Sequence, residues 1–330
     1  MLDLDVLSVE RIELSYKSIA EADLRTKRVN IFIGEPNTGK SNLLEALALL
    51  SSGVSQHINR VVRVQQAADL FFDHEIERDI SLTINGAFGW HLQFEKQHGR
   101  FKAVVTLPGQ PNKQAKYFQP VLAAGHWPQL TESPFRYYAF ERIPENVRSQ
   151  QYGFLQPPFG ENLPALLYSN KTFRESISSL FRSKGFRLEV RPQESQVLIS
   201  KEVNDILYSY PFRAISETLQ RIVFFKAVLE TSSDAVLILD EPEANTFPFY
   251  TKYLAERIAL DVSNQFFLTT HNPYVLTSLI EKTAASDLAV FITRMRNYRT
   301  EFLLASDAQL REMLTLTMDV FLDLDRFFPN

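Results

Sequence analysis

The segment Gly34-Glu35-Pro36-Asn37-Thr38-Gly39-Lys40-Ser41 has the spacing G-x-x-x-x-G-K-[ST], and the chemistry of that spacing is phosphate binding. Glycines at its two ends let the backbone curl, so that successive N–H groups and the start of the next helix face the phosphates of a nucleotide. Lys40 then reaches the β- and γ-phosphates as a point charge, and the Ser41 hydroxyl is a ligand for Mg2+. Gly34 through Ser41, with Asn42 just after them, are therefore the candidate nucleotide-binding residues.

A phosphate loop needs a metal-binding acid elsewhere. In Val236-Leu237-Ile238-Leu239-Asp240-Glu241-Pro242, four apolar residues put Asp240 at the C-terminal end of a buried strand, where ligands collect in open α/β sheets. Asp240 can hold Mg2+ opposite Ser41, and Glu241 is placed to act as general base on a water molecule. His271 follows another apolar run in Phe-Leu-Thr-Thr-His-Asn-Pro-Tyr, 31 residues after Asp240 (271 minus 240), as the next β-α unit of a parallel sheet would place it. It reads either as a sensor that hydrogen-bonds the γ-phosphate and positions the water, or as a helix cap.

The elements that must carry these residues are legible from periodicity. Val29 to Ile33 reads as a buried strand and Asn42 to Leu50 as a helix, so the loop lies between strand and helix. Alternation over Ile80–Ile84, Trp90–Phe94 and Phe101–Leu107, with turns at Asn85-Gly86 and His98-Gly99, predicts an antiparallel meander with Trp90, Phe94 and Phe101 in its core. Residues 108–160 are rich in Pro and Gln, with one strand at Arg136–Phe140 and a junction between lobes. A helix over Asn162–Arg182, strands at Phe186–Arg191 and Gln196–Ser200, and a helix over Ala214–Glu230 follow. Then come strand Ala235–Leu239, helix Thr251–Leu260, strand Gln265–Thr269, helix Tyr274–Lys282 and a last strand Leu288–Arg294. Strand-helix alternation at both chain ends, with antiparallel material between, predicts an α/β fold with a doubly wound core, an antiparallel meander and an inserted helical/β lobe. The expected division is 1–135 and 213–330 for the core and 136–212 for the second lobe.

With 330 residues, roughly 150 per domain gives about two domains. Hydrophobic residues at 45% and charged residues at 22% exclude a disordered or collagen-like chain. The absence of cysteine removes disulfides, thiolate metal sites and cysteine nucleophiles. No apolar run is long enough to span a membrane and the N-terminus lacks a signal-peptide pattern, so a cytoplasmic protein with no membrane contact is expected. A net charge of -4 does not describe a dedicated nucleic-acid coat. Basic residues do gather at Lys96, Arg100, Lys102, Lys113 and Lys116, and at Arg136, Arg142 and Arg148, as a solvated face or a surface that tracks DNA or RNA phosphates. Asp323 and Asp325 alternate with Phe321, Leu322 and Leu324 and read as an amphipathic end.

Gly-Glu-Pro-Asn-Thr-Gly-Lys-Ser-Asn-Leu-Leu-Glu-Ala-Leu (34–47), Leu-Ile-Leu-Asp-Glu-Pro-Glu-Ala (237–244) and Leu-Thr-Thr-His-Asn-Pro (268–273) resemble the ABC-type ATPase heads of the SMC and RecF class. More narrowly, they are similar to compact AAA family ATPases of bacterial anti-phage and overcoming-lysogenization-defect-like systems. Tyr16-Lys17-Ser18-Ile19 and Gly160-Glu161-Asn162-Leu163-Pro164-Ala165 resemble less specific motifs of that group, while residues 51–135 are unmatched. The resemblance implies a P-loop ATPase core using ATP and Mg2+, with Lys40, Glu241 and His271 catalytic and Ser41 and Asp240 on the metal. It also implies a head-to-tail homodimer, or a higher even oligomer, that sandwiches two ATP molecules.

In such a dimer, one subunit's signature motif faces the other's phosphate loop. Here the signature falls at Ile215-Ser216-Glu217-Thr218-Leu219, so Ser216 becomes an ATP-binding residue in trans. The family's glycine after the serine is replaced by Glu217, which points to slow hydrolysis. The glutamine loop has three candidates, Gln150, Gln151 and Gln156, and the distal loop reads Asn245-Thr246-Phe247-Pro248 where the family more often has histidine and leucine. No heptad seam separates Ser41 from Asp240, so long coiled-coil arms are not expected. Two functions are then open. One is an ATP-hydrolysing switch that controls an effector protein or a nucleic-acid contact, in anti-phage defence. The other is a nucleotide-gated scaffold, hydrolysing slowly or not at all, that holds a nuclease or toxin.

Overall fold

The computed structural model describes residues 8–108, 114–119, 121–123, 125–130, 132–142, 153–194 and 196–328. A hairpin of β1 (Arg11–Tyr16) and β2 (Ile19–Arg25) precedes strand β3 (Val29–Gly34) and helix α1 (Lys40–Ala48). After the short helix α2 (Ile58–Val61) come β4 (Ile80–Ile84), β5 (Phe88–Glu95), β6 (Arg100–Thr106), β7 (Gln114–Phe118) and β8 (Phe135–Tyr138). Helices α3 (Leu163–Ser169) and α4 (Lys171–Arg182) lead to β9 (Arg187–Arg191), β10 (Gln196–Val203) and β11 (Ile206–Pro211). The C-terminal part runs α5 (Glu217–Thr231), β12 (Val236–Asp240), α6 (Pro248–Leu260), β13 (Gln265–Thr269), α7 (Pro273–Lys282), β14 (Leu288–Arg296), β15 (Arg299–Leu304) and α8 (Asp307–Leu316).

The central sheet has the order β15-β14-β3-β13-β12-β8 and is parallel except for β15. Both faces of its inner strands are covered, which is why they read as unbroken apolar runs. Along β3, Phe32 joins a core shared with α1 and a second sheet, whereas Ile31 and Ile33 join the core made by α5, α6 and α7. That second sheet is antiparallel, in the order β2-β1-β4-β5-β6-β7. Helix α1 is thus held between two sheets. The indole N–H groups of Trp90 and Trp127 donate to the carbonyls of Ala46 and Leu49, at 2.8 and 2.9 Å, and supply partners that the end of a helix otherwise lacks. The two rings meet edge to face at 5.7 Å.

Several elements differ from expectation. The β1–β2 hairpin, β7, β11 and β15 extend the sheets beyond the strands read from periodicity. The 162–182 helix is two helices, because Asn170 takes an extended conformation (φ -98°, ψ 100°) and its side chain caps α4 by accepting the Phe173 N–H. The boundary expected at 135/136 falls inside β8, which pairs in parallel with β12 and belongs to the central sheet. Arg136 is therefore no part of a surface that tracks phosphates: its guanidinium stacks on the Phe154 ring at 3.6 Å, and its buried Nε and Nη1 have no hydrogen-bond partner among the described residues. Lys96, Arg100 and Arg142 pair with Glu77, Glu95 and Glu217; Lys113 and Arg148 lie outside the described residues. Trp90 and Phe101 are buried as expected, with Phe94 packed against the same core. No helix among the described residues is long and apolar enough to cross a membrane.

Phe32 has no exposed surface, stacks on Phe291 with ring centroids 5.0 Å apart and meets Phe302 edge-on at 6.3 Å. Phe32→Ala is expected to cost about 3–5 kcal/mol in urea denaturation, from lost burial and the cavity left between the layers. A cost below about 1 kcal/mol would show that the layers can close over the gap.

Candidate nucleotide site

The sheet order decides which strand ends meet. β3, β13 and β12 are neighbours and run the same way, so the loop after Gly34, the turn after Thr269 and the acids at Asp240 open on one edge. The loop itself is shaped by left-handed residues, Asn37 at φ 62° and Gly39 at φ 90°. At Gly39 a Cβ would lie 2.0 Å from Thr300 Oγ1, so only glycine fits there. Thr300 of β15 bonds Ser18 Oγ at 2.7 Å, and Ser18 Oγ accepts the Asn42 amide at 2.8 Å. The β1–β2 turn and the sheet's far edge thereby brace the start of α1.

Lys40 is 5% exposed and donates to the carbonyls of Gly34 and Glu35 at 2.8 and 2.7 Å. Burial pushes its ammonium down to about 8, opposed by the charges of Glu241, Asp240 and Glu35. The Ser41 side chain lies near enough to the Asp240 carboxyl to favour its ionised form, so the two oxygen ligands expected for Mg2+ sit together. A hydroxyl and a carboxylate suit that hard cation, whose remaining positions go to water and nucleotide phosphate. Burial raises the Asp240 carboxyl above its ordinary value, against a hydrogen bond from Thr269. Thr269 sits opposite Asp240 in the β12–β13 register. Its hydroxyl donates to Asp240 Oδ1 and accepts the Glu241 N–H at 3.0 Å, holding both acids.

Glu241 has φ 44°, an uncommon conformation for a residue with a side chain. Its Oε1 lies 3.2 Å from His271 Nε2, and that hydrogen bond holds its carboxyl below the ordinary value. The cap of α7 is Asn272, whose side chain accepts the N–H groups of Tyr274 and Val275. His271 is therefore free of the capping role and faces Glu241.

Ser216 stands apart from this cluster. It caps α5 by accepting the Leu219 N–H at 3.4 Å and is exposed. Gln156 donates its backbone N–H to the buried Asn162 side chain at 2.7 Å, in the loop before α3, while Gln150 and Gln151 lie outside the described residues.

No protein-family model and no curated protein sequence matches the chain. Among solved structures, the chain is similar to an SMC head bound to the C-winged helix domain of ScpA. The TM-score is 0.52 at 12% identity, over 92% of this chain and 99% of that one. The chain has the SMC head fold. At that identity the likeness extends to the fold and not to what the neighbour binds. The SMC head domain from Thermotoga maritima gives a TM-score of 0.41 at 13% identity, over 91% of this chain and 100% of that one.

Within this SMC head fold the structure adds residues that sequence reasoning missed. Glu45 of α1 is 3% exposed and accepts Lys17 Nζ at 2.6 Å, Arg63 Nε at 2.7 Å and Tyr16 OH at 3.3 Å. Arg63, fixed by Glu45, interacts electrostatically with Asp240. The signal for Glu45 was present as a lone acid among the apolar residues of α1; Arg63 had none.

The Lys40 ammonium loses its proton through a pH of about 8. Binding an anion that needs the ammonium takes up a proton above that pH. ATP affinity is therefore expected to fall by up to about tenfold per pH unit above pH 8. Lys40→Met, weak at every pH, should lack this limb in a titration of fluorescent ATP. A wild-type affinity that stays level from about pH 7 to about pH 10 would show that Lys40 does not meet the phosphates.

Proposed function

We propose that this protein is a Mg-dependent ATPase that works as a switch. The observation that carries the reading is the meeting, on one sheet edge, of the Lys40 loop, the Ser41–Asp240 pair and the Glu241–His271 pair. The loop amides and Lys40 hold the phosphates, and Ser41 with Asp240 would hold Mg2+. Bound there, the metal would neutralise phosphate charge as it shifts toward the leaving oxygen. Glu241 accepts a proton from the attacking water, and His271 orients it. Positioning and charge neutralisation supply most of the rate.

In this reading two chains pack head to tail, with Ser216 and the start of α5 facing the partner copy's phosphates, and hydrolysis reopens the pair. Opening and closing would act on an effector protein or a nucleic-acid contact, with anti-phage defence as the setting. The chain ends together with β8 supply the nucleotide-binding core, and the elements from α3 to β11 the second lobe. The rival reading, a scaffold with little hydrolysis, draws on Glu217, whose carboxylate follows Ser216. Arg142 lies 3.3 Å from it, but both side chains are well exposed and screening leaves the pair weak.

Phosphate release and size exclusion separate the two. Wild type should turn over, and Glu241→Gln should lower turnover by at least about 100-fold while ATP traps a dimer. Unchanged turnover in Glu241→Gln would remove Glu241 as base, and an ATP-dependent dimer without turnover in wild type would favour the scaffold.

A further inference from the structure

Glu243, three residues beyond Asp240, takes no part in the chemistry proposed above, yet it is 5% exposed. Buried carboxylates are costly and need a reason. Its carboxyl faces the turn between β13 and α7. The Thr270 hydroxyl donates to Oε1, and the His271 backbone N–H near the carboxyl favours its ionised form. Thr270 Oγ1 in turn accepts the Asn272 N–H at 3.0 Å, and Asn272 caps α7. The backbone on either side of His271 is thus tied through Thr270 to one buried group, while the His271 ring reaches out to Glu241 at 3.2 Å. Glu243 Oε2 has no partner among the described residues. Burial pushes this carboxyl up to about 7. The charged groups that interact with it electrostatically include Glu241 and Arg221 of α5.

We propose that Glu243 is a positioning residue, fixing the Thr270–Asn272 turn and with it the direction from which His271 meets Glu241. The proposal rests on Glu241 and His271 forming the water-activating pair. It differs from simple core packing because the effect of Glu243 must pass through His271.

Steady-state ATP turnover and the NMR signal of the His271 ring, assigned by its loss in His271→Ala, provide the test. Glu243→Gln keeps an acceptor oxygen and should retain kcat within about threefold, whereas Glu243→Ala should lower kcat at least about tenfold with KM nearly unchanged. In a His271→Ala background, Glu243→Ala should lower kcat no further, since residues acting through one another are not additive. The ring signal should move in Glu243→Ala and stay in place in Glu243→Gln. A kcat loss of equal size in both backgrounds, a loss carried by KM, or a ring signal unmoved by Glu243→Ala overturns the proposal. If wild type shows no turnover, the water-activating reading fails, and the ring signal still decides whether Glu243 orients His271. Should Glu243→Ala not fold, Thr270→Val removes the same bond from the other side, with the same outcomes expected.

Discussion

A cation held almost out of water governs this architecture. Lys40 touches two backbone carbonyls, which are neutral, and its charge is balanced across the cleft by Asp240 and Glu241. Lys40 in turn helps His271 hold the Glu241 carboxyl down. Asp240, Glu241 and Glu243 fall within four consecutive residues, and like charges so close resist ionising together. The surroundings separate them: burial raises Asp240 and Glu243, while His271 draws Glu241 down. Such a spread of proton affinities among neighbouring carboxyls is the pattern by which sites assign different roles to one residue type. It requires the ends of β3, β13 and β12 to lie side by side, which the strand order provides.

The layers around the cleft serve that requirement. The antiparallel sheet covers α1 and brings Lys17 and Tyr16 to Glu45, fixing the helix that carries Lys40 and Ser41. Thr293 of β14 lies opposite Gly34 and bonds the Thr38 hydroxyl at 2.7 Å. The loop is therefore gripped from the sheet side as well as from the β1–β2 turn, and it enters the free protein already shaped. Preorganisation of this kind reduces the ordering cost that a ligand must otherwise meet.

Much of the site was legible in the sequence because its parts are local: a spaced loop between a buried strand and a helix, and acids and a histidine after apolar runs. What escaped was non-local or lacked a turn signal. The Asn85-Gly86 and His98-Gly99 hairpins announced themselves through glycine. The β10–β11 and β14–β15 hairpins turn instead on Asn204-Asp205 and Asn297-Tyr298, and β1–β2 turns at Lys17, all with positive φ and no glycine. In a chain with 11 glycines this hid three strand pairs. Thr269 was invisible as a ligand holder because its meaning comes from register, opposite Asp240 on the neighbouring strand. Arg136 misled in the other direction. A guanidinium that looks suited to a surface stacks on Phe154 with its Nε and Nη1 buried.

The two indoles that meet the end of α1 have an optical consequence. Trp90 and Trp127 are the chain's only tryptophans, and both donate to carbonyls at the end of the helix whose first turn holds Lys40 and Ser41. Indole emission depends on the polarity and hydrogen bonding around the ring. Any shift of α1 along its axis as the phosphate loop fills would change those bonds at the opposite end. Such a shift would be read without a label by a pair buried at 1–2% exposure and shielded from surface events that would confuse the signal.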